Sequence, residues 1–383
     1  MNSVHVNTFV NTGTDSLQSI VNRLQDLVPK LEATLEKGNK KAKGQFYTVN
    51  STYILEGLAL PPSTVRTIIE PFAGKGDLID WLRQRGITQP VEAYDIEPKR
   101  AGIQKRDTLT NPPNYDNAWI ITNPPYLARN RSASKTLFDT YSTNDLYKCF
   151  ITTLTTPPLA AGGIMIIPSG FFLSPRDLDV RCRHAFMTQY RVLKVKYFEE
   201  TVFPDTTTTV VAVSFEKSPI ALTEQAVDWV NRPSGLTQTF TMKAADNWII
   251  GGDIYKLPTD VHIRRYVLEQ KLKTDEYISS MTLNAVDSGT QVGRISLDYK
   301  EGYIYPAQEC SRTYATLCIR GRVLTAEEQK RICSEFSTFV EQKRKDTWSL
   351  FLPQFRESKE YARKRMPFEL AYTIVGHLIS KLR

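Results

Sequence analysis

The sequence predicts an α/β fold, a mostly parallel sheet with helices on both faces, followed by a mixed α+β C-terminal domain. Three observations predict it. Short apolar runs alternate with helical segments between residues 65 and 215, the rhythm of strands joined by crossover helices. A Gly-x-Gly turn at residues 74–76 separates the first strand from the first helix, the position where doubly wound sheets open a ligand crevice. After Ser218 that rhythm stops and Gly-rich, aromatic-rich irregular sequence follows.

Taken in chain order, residues 1–14 are polar. From Asp15, Leu17, Ile20, Val21, Leu24, Leu27, Val28, Leu31 and Leu35 fall at helical spacing with Pro29 as a kink, so residues 1–43 are expected to form an N-terminal helical segment. Packing on the next domain is the simpler role for it, and dimerisation is the alternative. Lys37, Lys40, Lys41 and Lys43 form a linker that is either solvated or in reach of phosphate. Strands are expected at residues 65–70 (VRTIIE), 91–95 (VEAYD), 118–122 (AWIIT), 163–167 (GIMII), 192–198 and 210–215 (VVAVSF), and helices at 78–85 and 145–153. The domain boundary is placed near residue 220, giving domains at 44–220 and 221–383. Toward the C-terminus, Lys343, Arg344, Lys345, Arg356, Arg363, Lys364 and Arg365 are interleaved with Trp348, Phe351, Phe355 and Tyr361.

Bulk properties set bounds on function. With 383 residues, 41% hydrophobic and 23% charged, the chain is long enough for two globular domains. Its formal net charge of +8 suits a polyanionic partner and is equally compatible with an unrelated basic enzyme. Five cysteines, an odd number with no CxxC pair, indicate neither a disulfide framework nor a metal site. A reducing, cytoplasmic location is expected, with no signal peptide and no membrane-spanning run.

The segment Glu70-Pro71-Phe72-Ala73-Gly74-Lys75-Gly76-Asp77 lies between strand and helix. Its glycines allow positive φ and close backbone approach to a ligand. A phosphate loop needs GxxxxGK followed by Ser or Thr; here Lys75 precedes Gly76 and Asp77 follows, so phosphate would meet a carboxylate. A dinucleotide loop needs a third glycine, which is missing. Asp95, ending the second strand, can accept from both hydroxyls of a ribose or can simply cap a turn. Asp107 follows a third short segment and can accept from an adenine amino group. Three acids at three successive strand ends, Glu70, Asp95 and Asp107, are more specific than any one of them.

Asn123-Pro124-Pro125-Tyr126 follows directly on an apolar strand. An aromatic amine is a poor nucleophile because its lone pair is delocalised into the ring. An Asn oxygen and a main-chain carbonyl can each accept one N–H and localise that pair. Proline, lacking an N–H and fixed in φ, holds the corner rigid. Tyr126 is placed to stack on a base. The related run Asn111-Pro112-Pro113-Asn114 has no strand before it and no aromatic after it, and is read as a turn.

These motifs together resemble the adenine-specific DNA methyltransferases of restriction–modification systems, the gamma-class, NPPY kind. The resemblance covers residues 44 to about 216 in the same order. It implies a Rossmann-like sheet binding S-adenosyl-L-methionine, with no metal. The segment 44–48 (GQFYT), with Tyr47 and Thr48, resembles the motif contacting the methionine part of the cofactor. Glu70, Pro71, Phe72, Ala73, Gly74 and Gly76 resemble the cofactor loop, Asp95 and Ile96 the ribose and adenine contacts, and Asp107 the acceptor for the cofactor's amino group. Asn123 to Tyr126 resemble the catalytic motif, and Phe203 in Val202-Phe203-Pro204 resembles an aromatic that packs on the flipped base; without the resemblance it reads as a buried aromatic. Asp77 departs from the family pattern. The resemblance further implies that residues 221–383 are a target recognition domain and that the partner is double-stranded DNA bound by a monomer; a cognate restriction endonuclease of the same system is a candidate second partner, and the sequence leaves open whether there is one. Arg129, Arg131, Arg363, Lys364 and Arg365 are the expected phosphate contacts, with a solvated loop the alternative for the first two. An RNA adenine methyltransferase and a non-catalytic nucleic-acid-binding module are the competing readings.

Overall fold

A computed structural model describes residues 48, 50–203, 208–287, 295–305, 311–355 and 362–382. The expected N-terminal helical segment, Tyr47, Pro204, Arg356 and Tyr361 lie outside these residues.

A short helix α1 (Ser51–Leu55) precedes β1 (Ile68–Glu70), α2 (Asp77–Gln84), β2 (Val91–Asp95), β3 (Gln104–Lys105) and β4 (Trp119–Thr122). Then come α3 (Thr136–Thr140), α4 (Leu146–Leu154), β5 (Gly162–Pro168), α5 (Gly170–Leu173), α6 (Asp177–Gln189), β6 (Tyr190–Phe198) and β7 (Val210–Lys217). With β8 (Glu224–Arg232) and β9 (Thr237–Lys243) these strands form one nine-stranded sheet of order β3-β2-β1-β4-β5-β7-β6-β8-β9. The expected strands and helices are present to within a few residues. β1 pairs in parallel with both β2 and β4, and β4 with β5. Strand order therefore reverses between β1 and β4, and the crevice beyond their carboxyl ends is a topological switch point. β7 runs antiparallel between β5 and β6, so the sheet departs from an all-parallel nucleotide-binding order.

The central strands are apolar on both faces because helices cover both sides. Ile68, Ile69, Ile120, Ile121 and Ile164 to Ile167 are all buried, packed against Leu82 and Trp81 of α2 and Phe150 and Leu154 of α4. Such double coverage fixes the strand ends, and the loops leaving them, as a rigid frame.

The boundary expected near residue 220 is corrected. β8 pairs with β6 over five residue pairs and β9 pairs with β8 over seven, and Trp229, Phe240 and Met242 belong to the first core. Sequence texture changed there because these strands sit toward the sheet edge and alternate buried with exposed residues, not because the sheet had ended. A second core begins with Ile249 and Ile254. It is built on an antiparallel sheet of β10 (His262–Arg265), β11 (Glu276–Asn284), β12 (Ser296–Tyr299) and β13 (Tyr314–Arg320), in order β10-β13-β11-β12. Helix α7 (Ala326–Thr347), the hairpin of β14 (Gln354–Phe355) and β15 (Arg363–Lys364), and helix α8 (Phe368–Ser380) complete this module. Thr325 and Glu328 cap α7 reciprocally: the Thr325 hydroxyl accepts from the Glu328 amide at 3.2 Å and the Glu328 carboxylate accepts from the Thr325 amide at 2.8 Å.

Buried Arg183 of α6 ties α5 to the segment that follows β9. Its Nε donates to the Asn247 carbonyl at 2.6 Å, and its Nη1 to the Phe171 carbonyl at 2.5 Å. Desolvation pulls its guanidinium down to about 10, still charged at neutral pH. Among the described residues no helix is long and apolar enough to cross a membrane, and no group of three or more His, Cys, Asp or Glu is placed to hold a metal ion.

Candidate active site

The carboxyl ends of β1, β2, β3 and β4 enclose a cavity of about 230 Å³. Phe72, Ala73 and Gly74 from the β1 loop form one wall. Asp95 and Ile96 from the end of β2 and Asp107 beyond β3 form a second, and Asn123 and Pro125 from the end of β4 a third. Thr48 also lines it. Nine of the residues named from sequence therefore converge on one space.

The loop after β1 takes its shape from glycine. Gly74 has φ 53° and Gly76 φ 89°, left-handed conformations that cost little only without a Cβ. Asp95 holds this loop. Its Oδ2 accepts from the Gly74 amide at 2.8 Å and its Oδ1 from the Glu97 amide at 2.7 Å. Each oxygen keeps a further lone-pair direction for a ligand hydroxyl. Asp107 is fixed through one oxygen only, which accepts from the Leu109 amide at 3.1 Å; no donor among the described residues reaches the other. Ile96 is 48% exposed. A large apolar side chain left bare at a cavity wall is suited to the face of a flat ring.

Asn123 is held at both ends of its amide. Nδ2 donates to the Thr48 hydroxyl at 3.2 Å, and Oδ1 accepts the hydroxyl of Tyr126. Among the described residues none donates to the Pro124 carbonyl.

Several expected contacts are corrected. Glu70 does not line the cavity: it is fully buried behind the wall, where one oxygen accepts from the Phe72 amide at 3.1 Å and the Thr122 hydroxyl at 2.8 Å. Its other oxygen has no partner among the described residues, and desolvation pushes the carboxyl up to about 8. It braces β1 against β4 because the central strand ends of the sheet are fully enclosed. Pro71 and Gly76 are likewise support rather than wall: the Pro71 carbonyl accepts from the Thr108 hydroxyl at 2.8 Å, and Gly76 opens α2. Tyr126 does not present its ring as a stacking surface. It is 7% exposed, edge-on to Tyr147, and its hydroxyl also reaches the Ile166 carbonyl at 2.7 Å. A phenol that finds buried acceptors turns inward to them. Phe203 is 2% exposed and packed in the first core.

The cationic candidates divide. Arg131 is exposed, whereas Arg129 is paired with Asp139 at 2.7 Å. Lys364 is paired with Glu199 at 2.7 Å, and Arg363 Nε donates to the Asp287 carbonyl at 2.8 Å. Arg365 is half-buried beside them, with a buried Nε. Of the β14–β15 hairpin, which reads as a basic surface, Lys364 joins the two modules through Glu199, while Arg363 braces the second module internally. Arg344 makes a two-pronged ion pair with Asp287, both contacts 3.0 Å and both residues buried.

Sequence reading missed Asp77, Arg106, Leu127, Leu137 and Leu146, which also line the cavity. Asp77 carried a signal as the residue that departs from the family pattern. Arg106 clamps the Asn111-Pro112 turn through both carbonyls, at 2.8 and 2.7 Å. The leucines carried none, since they come from separate elements brought together only by folding.

No protein-family model and no curated protein matches the sequence. Among solved structures, a modification subunit assigned to a type I restriction enzyme from Vibrio vulnificus is 14% identical, with TM-score 0.39, over 58% of this chain and 54% of that one. The methyltransferase subunit of a type I restriction-modification system from Streptococcus thermophilus is 16% identical, with TM-score 0.34, over 49% and 48%. The 23S rRNA methyltransferase ErmE is 13% identical, with TM-score 0.32, over 46% and 71%. The chain spans about half the length of the first two, and matches of this size assign no function.

Proposed function

We propose that the protein is an S-adenosyl-L-methionine-dependent methyltransferase acting on the exocyclic N6 amine of adenine in double-stranded DNA. One observation carries the reading: a single cavity is bordered by Asp95, Ile96 and Asp107 on one side and by Asn123 and Pro125, the residues that flank Pro124, on another. The first group fits a nucleoside, with a carboxylate for ribose hydroxyls, an apolar plate for the ring and a carboxylate oxygen for its amino group. The volume of about 230 Å³ falls just under the ~300 Å³ at which small-molecule sites commonly begin, so a cofactor-sized ligand fills it and extends past its mouth.

The bound cofactor supplies a methyl group on a positively charged sulfur. Asn123 and Pro124 do the rest. Asn123 Oδ1 and the Pro124 carbonyl each accept one N–H of the amine, drawing its lone pair out of conjugation and aiming it across the cavity. The rigidity of the proline corner keeps both acceptors in place at no cost in reorganisation. Leu127 and Leu146, joined by a backbone hydrogen bond of 3.2 Å, exclude water beside Pro125. Rotating a base out of the duplex costs about a few kcal/mol. The +8 net charge and exposed cations such as Arg131 supply attraction for the phosphate backbone. The second module is the reader of base edges.

The test is methyl transfer from labelled cofactor to duplex DNA and, separately, to RNA, with the product nucleoside identified by mass spectrometry. N6-methyladenine in DNA is expected, and Asn123→Ala is expected to abolish it while DNA binding persists. Full activity in that variant, or methylation of RNA alone, refutes the assignment.

A further inference from the structure

The cavity wall carries three carboxylates, Asp77, Asp95 and Asp107, against one guanidinium, Arg106. Asp95 is committed through both oxygens to backbone amides and Asp107 through one. Asp77 differs. It is the first residue of α2, it is half-buried, and no hydrogen bond or ion pair from the described residues reaches its carboxylate. The charged groups around it are Lys75, Asp80 and Arg100, and Arg100 is already paired with Asp80 at 2.7 Å. Desolvation raises its carboxyl above the ordinary value. Glu70, the other acid of the loop, is buried behind the wall and does not line the cavity.

A helix N-terminus ordinarily favours anions. A carboxylate placed there, on a residue that lines the cavity, reverses that preference: it repels a phosphate and attracts a cation. Among the groups of the proposed cofactor, the α-ammonium of the amino-acid half is the cation that also donates hydrogen bonds. Asp95 and Asp107 stand at the β2 and β3 ends, where the nucleoside half is accommodated. Asp77 stands apart from them, beyond the β1 loop. We infer that Asp77 is the carboxylate that binds the α-ammonium of S-adenosyl-L-methionine, a role that Glu70, buried behind the wall, does not fill in this chain. The inference rests on the cofactor reading above.

The experiment is calorimetric titration of the full chain with S-adenosylhomocysteine, which keeps the amino-acid half, and with 5′-methylthioadenosine, which lacks it. Asp77→Asn is expected to weaken the first ligand about tenfold or more, the size of a lost charge-assisted contact, and to leave the second unchanged. Asp77→Glu should restore part of the affinity for the first. Equal losses on both ligands, or no loss on either in a variant whose melting temperature matches wild type, overturn the assignment. Wild-type protein that binds neither ligand instead removes the cofactor reading beneath it.

Discussion

Tyr126 donates its hydroxyl to the side-chain oxygen of Asn123, the same oxygen that accepts an N–H from the target amine in the proposed reaction. Burial keeps this phenol protonated and therefore a donor. The Ile166 carbonyl, 2.7 Å away, is a second acceptor for it. One hydroxyl hydrogen cannot serve both fully, so an arriving amine is expected to shift the tyrosine toward Ile166. Removing the hydroxyl while keeping the ring, by Tyr126→Phe, forfeits about 1 kcal/mol of orientation, roughly a fivefold fall in turnover. Steady-state kinetics should show that fall in kcat with cofactor affinity unaltered; a change confined to cofactor affinity would falsify this positioning role.

Asp95 both shapes the loop and lines the cavity. Asp95→Ala removes acceptors for two backbone amides as well as the ribose contact, so cofactor affinity is expected to fall at least about tenfold. Equilibrium binding measures it, and an unchanged dissociation constant counts against the ribose role.

Glu70 links stability to pH. Its folded carboxyl stands at about 8 against an ordinary 4.5, because burial penalises the charge. Between those values the folded chain holds a proton that the unfolded chain releases. The stabilising contribution is therefore complete below the ordinary value and is lost as pH rises through about 8. Glu70→Gln keeps the shape without the titration. Urea midpoints across that window should fall more steeply for wild type than for the variant, and parallel profiles would remove the linkage.

The buried Arg344–Asp287 pair spans α7 and the segment after β11. Truncating one partner leaves a charge without its counterpart, at about 3–5 kcal/mol. Arg344→Met is expected to lower the unfolding free energy by that amount, read by denaturant titration.

The cations should separate in salt dependence. Arg131→Ala is expected to reduce the slope of log affinity for DNA against log salt by about one. Lys364→Ala should leave that slope alone and lower stability, since its charge is already met by Glu199 at 2.7 Å. The reverse result would return the hairpin to the DNA surface.

The sequence by itself determined the strand–helix order, the two glycines at positive φ and the polar residues that meet at the switch point, because each is a local requirement of backbone geometry or hydrogen bonding. It could not determine how deep each residue lies. Glu70, Tyr126 and Phe203 sit in motifs as informative as those of Asp95 and Asn123, yet they are buried, since burial depends on what packs above a residue from elsewhere in the chain. The same reason hid the continuation of the sheet through β8 and β9, the leucines of the cavity wall, and the pairing of Lys364 with Glu199, 165 positions away. A charge read along the chain is a potential contact; only the tertiary structure decides whether a neighbour has already taken it.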